Sequence, residues 1–203
     1  KEELVPFINS LGKKELFVEA ERITLSRYTS LKEMFSSLTV NGNGELDKKI
    51  SEIRTVKKDE QVNTIIKAQR IAEKAFDYIL TFIKEGVTEK EVALTLEYFM
   101  LKNGADALSF DTIAVSGKNS SLPHGVPSDK KIENGDFITM DYGATVGFYH
   151  SDMTRTVAVG EVSSKQAEVY ETVLKAQIAG LEKIKAGISC RDVDKVSRDI
   201  IKA

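Results

Sequence analysis

An α+β fold is the reading the sequence supports, on three observations. Apolar residues recur at three- and four-residue spacing through the stretches 59–84 and 164–185, the period of a helix with one buried face. Between those stretches, residues 138–159 hold two runs of β-branched and aromatic residues on either side of Val146-Gly147, a hairpin signal. Glycines and capping residues then mark where the helical stretches start and stop.

The elements follow in chain order. Glu15 to Glu19 is a short strand candidate, Ser26 to Phe35 a short amphipathic helix and Leu38 to Val40 another strand, closed by the turn-forming run Asn41-Gly42-Asn43-Gly44. A long helix is predicted from about Asp59 to Lys84, with Val62, Ile65, Ile66, Ala72, Phe76, Ile79, Leu80 and Ile83 on its apolar face and Gly86 as its stop. Thr88 and Glu91 form a capping box that opens a second helix, which ends at Gly104. Phe110 to Val115 reads as a strand, Gly117 to Pro127 as a loop, and the hairpin follows. A third helix, about Ser164 to Lys185, carries Val169, Val173, Leu174, Ile178, Leu181 and Ile184 on one face. Ser189 to Asp192 opens a fourth.

Composition narrows the function classes. With 29 Lys+Arg against 31 Asp+Glu there is no basic excess, so a nucleic-acid partner is not expected. No apolar run approaches the roughly 18 residues that span a bilayer, so no membrane partner is expected either. The single cysteine, Cys190, cannot form an internal disulfide and fits a reducing cytoplasm. It reads as a small buried filler at a helix start.

The hairpin carries the chemistry. With a two-residue loop at Val146-Gly147, Asp141 stands opposite Asp152 on one face. Directly opposed side chains have Cβ atoms roughly 4.5–5.5 Å apart, and like charges at that distance destabilise a sheet. A divalent cation between the carboxylates would offset the repulsion, which makes Asp141 and Asp152 candidate metal ligands. The competing interpretation is an edge hairpin with two solvated acids. A one-residue register slip would also send the carboxylates to opposite faces. Thr154 and Thr156 share the face of Asp152, Arg155 is an ion-pair candidate, and His150 beside the turn reads as structural. His124, in the turn composition Leu-Pro-His-Gly, is exposed by its surroundings.

The wording around the pair, GDFITMDYGA followed by YHSDMTRTVAVG, resembles the metal-binding hairpin of the pita-bread metallopeptidases, the creatinase/aminopeptidase family. Upstream, SFDTIAVSGKNSSLPHGVPSDKKIENGD (Ser109 to Asp136) resembles the same family, closest to its Xaa-Pro dipeptidase and aminopeptidase P branch. The likeness runs from about Arg54 to Ala203. It implies the N-terminal half of a pita-bread domain over 56–203, preceded at 1–55 by the C-terminal part of a small α/β N-terminal domain. Residues 51–61 then look like the linker between the two, and both ends of the chain look cut.

The resemblance also implies a reaction. It is metal-dependent cleavage of the bond before proline in a peptide substrate, with two divalent ions, Mn²⁺ first and Co²⁺ or Zn²⁺ as substitutes. Asp141 and Asp152 match two of the family's five metal ligands; its His and two Glu ligands have no match here. His124 matches the residue that contacts substrate and steadies the developing oxyanion. A homodimer is the implied assembly. The alternatives are a non-catalytic binding module or a creatinase-type hydrolase of the same fold.

Overall fold

A computed structural model describes residues 4–203, which form two compact units, 4–62 and 63–203. In the first unit, helix α1 (Leu4–Ser10) precedes strand β1 (Glu15–Phe17), helix α2 (Leu25–Met34), strand β2 (Thr39–Asn41) and helix α3 (Glu45–Thr55). β1 and β2 pair in parallel, Glu15 beside Thr39. Thr24 caps α2 by accepting from the Arg27 N–H, and Asp47 on α3 ties down the Ala20 and Glu21 amides at 2.8 and 3.2 Å. Ser51 to Thr55, expected in a linker, instead completes α3.

The second unit combines helices with small antiparallel sheets. Helix α4 (Asp59–Ile79) leads into it, and helix α5 (Glu89–Lys102) follows. The predicted capping box on α5 is present: Thr88 accepts from the Glu91 N–H, and the Glu91 carboxylate accepts from the Thr88 N–H at 2.7 Å. Strands β3 (Ala107–Leu108), β4 (Ile113–Ser116), β5 (Phe137–Tyr142), β6 (Ala144–Val146), β7 (Tyr149–His150) and β8 (Met153–Ala158) come next. They form two antiparallel sheets, ordered β4-β5-β8 and β3-β6-β7. Helices α6 (Ser164–Lys183) and α7 (Cys190–Lys202) complete the chain.

The core lies between the helices and the sheets. Ala72, Ala75 and Ile79 of α4 and Val92, Leu96 and Met100 of α5 pack with Ala114, Ile138, Met140 and Tyr142 of the strands. The buried stripe of α4 is thus largely alanine, and small side chains let a helix approach a sheet closely. Val62, Ile66 and Leu80, predicted on the buried face, are each more than 40% exposed. On α6 the predicted stripe is uncovered: Val169, Val173, Leu174, Ile178, Leu181 and Ile184 all stay accessible. Its buried positions are Ala176 and Gly180, where α7 crosses and the Ser197 hydroxyl donates to the Ala176 carbonyl at 2.9 Å. Cys190, expected as buried filler, is exposed at the first residue of α7.

The hairpin differs from its predicted register. Val146 pairs with Tyr149 and Asp141 with Thr154, so the two-residue loop is Gly147-Phe148. Both loop residues have positive φ, 54° and 68°, as a type I′ turn requires. A loop at Val146-Gly147 would have forced a β-branched residue into the left-handed region, which is sterically costly. Gly147 and the fully exposed Phe148 take that conformation instead. Moving the turn by one position changes every partner by two residues, so each side chain keeps its face.

Candidate functional site

Asp141 and Asp152 therefore sit diagonally on one face of the hairpin, with Asp152 two residues from the Thr154 that faces Asp141. The ribbon is pinched where they meet. Ala144 donates its N–H to the Ser151 hydroxyl, and Ser151 donates its own N–H to the Ala144 carbonyl, each at 2.9 Å. A methyl group on Gly143 would overlap the Ser151 carbonyl oxygen and lie 2.8 Å from its carbon. Glycine at 143 is what allows this close approach, and Asp152 is the next residue after Ser151.

The electrostatics of the pair are unfavourable as it stands. Partial desolvation, the charge of Asp141 and a hydrogen bond between the two carboxyls hold Asp152 above the usual aspartate range. Asp141 Oδ1 is buried and without a hydrogen-bond partner among the described residues. A buried carboxylate oxygen left unpaired is costly. A cation is the ligand type that would relieve both features at once, so these residues fit two oxygen donors to a hard divalent ion. Among the described residues no cluster of three or more His, Cys, Asp or Glu is placed to hold a metal. The pair supplies two such donors.

Both aspartates line a cavity of about 850 Å³, together with residues from α5, the approach to β4 and the 124–127 loop. His124 lines the same cavity, so all three sequence-predicted site residues come to one place. Gly125 packs under this loop: a methyl group there would meet Val115 Cγ1 at 2.8 Å. His150 lies apart, with its Nδ1 3.0 Å from the Thr145 hydroxyl. Thr156 hydrogen-bonds across the sheet to Thr139 at 3.1 Å. Arg155 lies over the Phe76 ring at 5.9 Å, and among the described residues it makes no ion pair within 4.0 Å.

Two features of the site escaped the sequence. Thr112, 5% exposed, lines the cavity with its hydroxyl unpartnered. Glu89, 1% exposed, accepts hydrogen bonds from both ends of the loop that carries His124. An acid in a first helical turn ordinarily answers the helix dipole from the surface, so its type and position gave no sign of burial.

Metallopeptidase family M24 matches residues 63–203 of the chain. An Xaa-Pro dipeptidase of Pyrococcus furiosus is 43% identical over 179 residues, which are 88% of this chain and 51% of that protein. Among solved structures, an Xaa-Pro dipeptidase from Bacillus anthracis superposes with a TM-score of 0.91 at 42% identity, covering 98% of this chain and 55% of that one. An X-Pro aminopeptidase from Thermotoga maritima gives 0.90 at 39% identity, covering 98% and 56%. The mixed α/β fold is that of these structures over the part matched. The chain spans about half the length of the curated relatives it matches.

Proposed function

The chain belongs to metallopeptidase family M24, and from that membership we propose that it carries part of a metal-dependent exopeptidase that cleaves X-Pro bonds, of Xaa-Pro dipeptidase or aminopeptidase P type. The observation that supports this most is the Asp141–Asp152 pair, two carboxylates on one face with a buried unpartnered oxygen. Asp141 and Asp152 would hold divalent metal, with Mn²⁺ the expected ion for an oxygen-rich site. When bound, such ions activate water and polarise the scissile carbonyl.

The chain's own residues do the rest. His124, exposed on the cavity wall, contacts the substrate and donates to the oxygen that gains charge at the scissile carbonyl. The backbone pinch at Gly143 and Ser151 fixes Asp152 relative to Asp141 without a mobile side chain in between. The segments 1–55 and 56–203 are read as the end of an N-terminal domain and the first half of the catalytic domain. A homodimer and a cytoplasmic setting belong to the same proposal. Among the described residues, no helix is long and apolar enough to cross a membrane. A non-catalytic binding module would leave the paired carboxylates without a physical reason.

A chimera provides the test. This segment replaces the matching half of the Pyrococcus furiosus Xaa-Pro dipeptidase, and X-Pro hydrolysis is assayed with Mn²⁺. Activity is expected, lost on Asp152→Asn because an amide binds hard cations weakly. His124→Ala should lower turnover with metal content unchanged. Metal lost along with His124 would make it a ligand and overturn its assignment to substrate.

A further inference from the structure

Glu89 is the one charged residue buried among the described residues. The helix N-terminus favours a carboxylate there, but that accounts for neither its burial nor its partners. Oε1 accepts from the Ser116 N–H at 2.7 Å, the Ser116 hydroxyl at 3.1 Å and the Asn119 amide at 3.2 Å. Oε2 accepts from the Ser128 hydroxyl at 2.6 Å and the Ser128 N–H at 3.1 Å. Ser116 and Asn119 stand at the entry of one loop and Ser128 at its exit, with His124 between them. Lys130 reinforces the entry, donating to the Ser116 hydroxyl at 3.0 Å and pairing with Asp136 at 2.7 Å.

We propose that Glu89 is a positioning residue: its buried carboxylate clamps both ends of the 117–127 loop and thereby fixes His124 over the Asp141–Asp152 pair, which rests on the metal-site reading above. The chemistry requires a carboxylate. Its two oxygens accept from five donors, and charge-assisted bonds of this kind are roughly twice as strong as neutral ones. In Glu89→Gln an amide NH₂ would confront either the Ser116 and Asn119 donors or the two Ser128 donors, whichever way it turns. Buried donors would then lose their acceptor.

The chain has only two histidines, so its imidazole NMR signals are two, and His150 on the hairpin serves as an internal reference. Two readouts are taken on the whole chain: amide hydrogen exchange across 117–128, and broadening of the His124 ring signal by added Mn²⁺. Glu89→Gln is expected to speed loop exchange by about tenfold or more and to weaken the broadening of His124, with that of His150 unchanged. Ser128→Ala removes the hydroxyl that donates to Glu89 and accepts from the Lys130 N–H at 3.1 Å, without placing a mismatched donor against the loop, and should give the same pattern to a smaller extent. It decides the question if Glu89→Gln does not fold. Unchanged loop exchange and unchanged His124 broadening in the folded variant would overturn the clamp, because an acid that only stabilises the helix start would leave His124 in place. No Mn²⁺ effect on His124 in the unaltered chain would instead overturn the metal-site reading.

Discussion

Gly143→Ala should damage this fold more than any other single added methyl group in the hairpin. The new Cβ would overlap the Ser151 carbonyl oxygen, lie 2.8 Å from the carbonyl carbon and 3.0 Å from the Ser109 hydroxyl. Ordinary carbon contacts fall at about 3.5–4.0 Å, and the obstacle is backbone, so the strands must part by about an ångström. Parting them breaks the two 2.9 Å bonds between Ala144 and Ser151, at about 0.5–1.5 kcal/mol each. Overpacking strain adds about 1–3 kcal/mol. The total, about 2–6 kcal/mol, is a large share of a typical stability of about 5–15 kcal/mol. Urea unfolding followed by circular dichroism reads it directly. With a slope of about 2 kcal/mol/M the midpoint should fall by about 1–3 M, and Mn²⁺ affinity should fall with it, because Asp152 moves with Ser151. A variant within about 0.5 kcal/mol of the unaltered chain would show that the strands are not pinched at Gly143.

Two further outcomes follow from local geometry. Burial raises the Glu89 carboxyl, but its bonds from Ser128, Ser116 and Asn119 outweigh that and hold it below the ordinary value of 4.5. A depressed acid stabilises the fold above its unfolded value, and that stability is lost as pH falls through the folded value. Urea midpoints measured downward from neutral pH should therefore drop below about pH 4.5, and Glu89→Gln should flatten that slope; parallel curves would contradict the assignment. Phe148 holds a φ of 68° with its ring 94% exposed, and left-handed backbone costs a non-glycine residue about 1–2 kcal/mol. Phe148→Asn should raise thermal stability by about 0.5–1 kcal/mol, and a lower melting temperature would mean that the ring makes contacts worth more than the strain.

Much of this was legible in the sequence where local chemistry decides the structure. Thr88 and Glu91 announce the start of α5 because the capping box satisfies backbone donors within four residues. The common face of Asp141 and Asp152 was also legible, since strand periodicity survives a two-residue change of partner. The turn itself was not, because Val146-Gly147 and Gly147-Phe148 both contain the glycine and only the backbone cost of Val146 separates them. The α4 stripe was legible in part: Ala72 and Ile79 are buried and Phe76 and Ile83 pack against the core, as predicted. Periodicity also marked the exposed Val62, Ile66 and Leu80, and passed over the small Ala75 that close approach to the sheet selects. Glu89 was invisible for a different reason. Its donors lie between 27 and 39 residues away, and nothing in a local window connects an acid to them.

The central claim is that Asp141 and Asp152 are held together to share a cation, and it makes two opposite predictions for one substitution. Burial and the charge of Asp141 together raise Asp152; Asp141→Asn removes the repulsion, so the metal-free chain should melt at a higher temperature near neutral pH. The same substitution removes a charged ligand, so the stabilisation that added Mn²⁺ gives through binding to the folded state should shrink or vanish. Thermal unfolding of both chains, with and without Mn²⁺, measures the two effects together. A crossed pattern, with the variant more stable without Mn²⁺ and less responsive to it, is the predicted result. Equal Mn²⁺-dependent shifts in the two chains would contradict the claim.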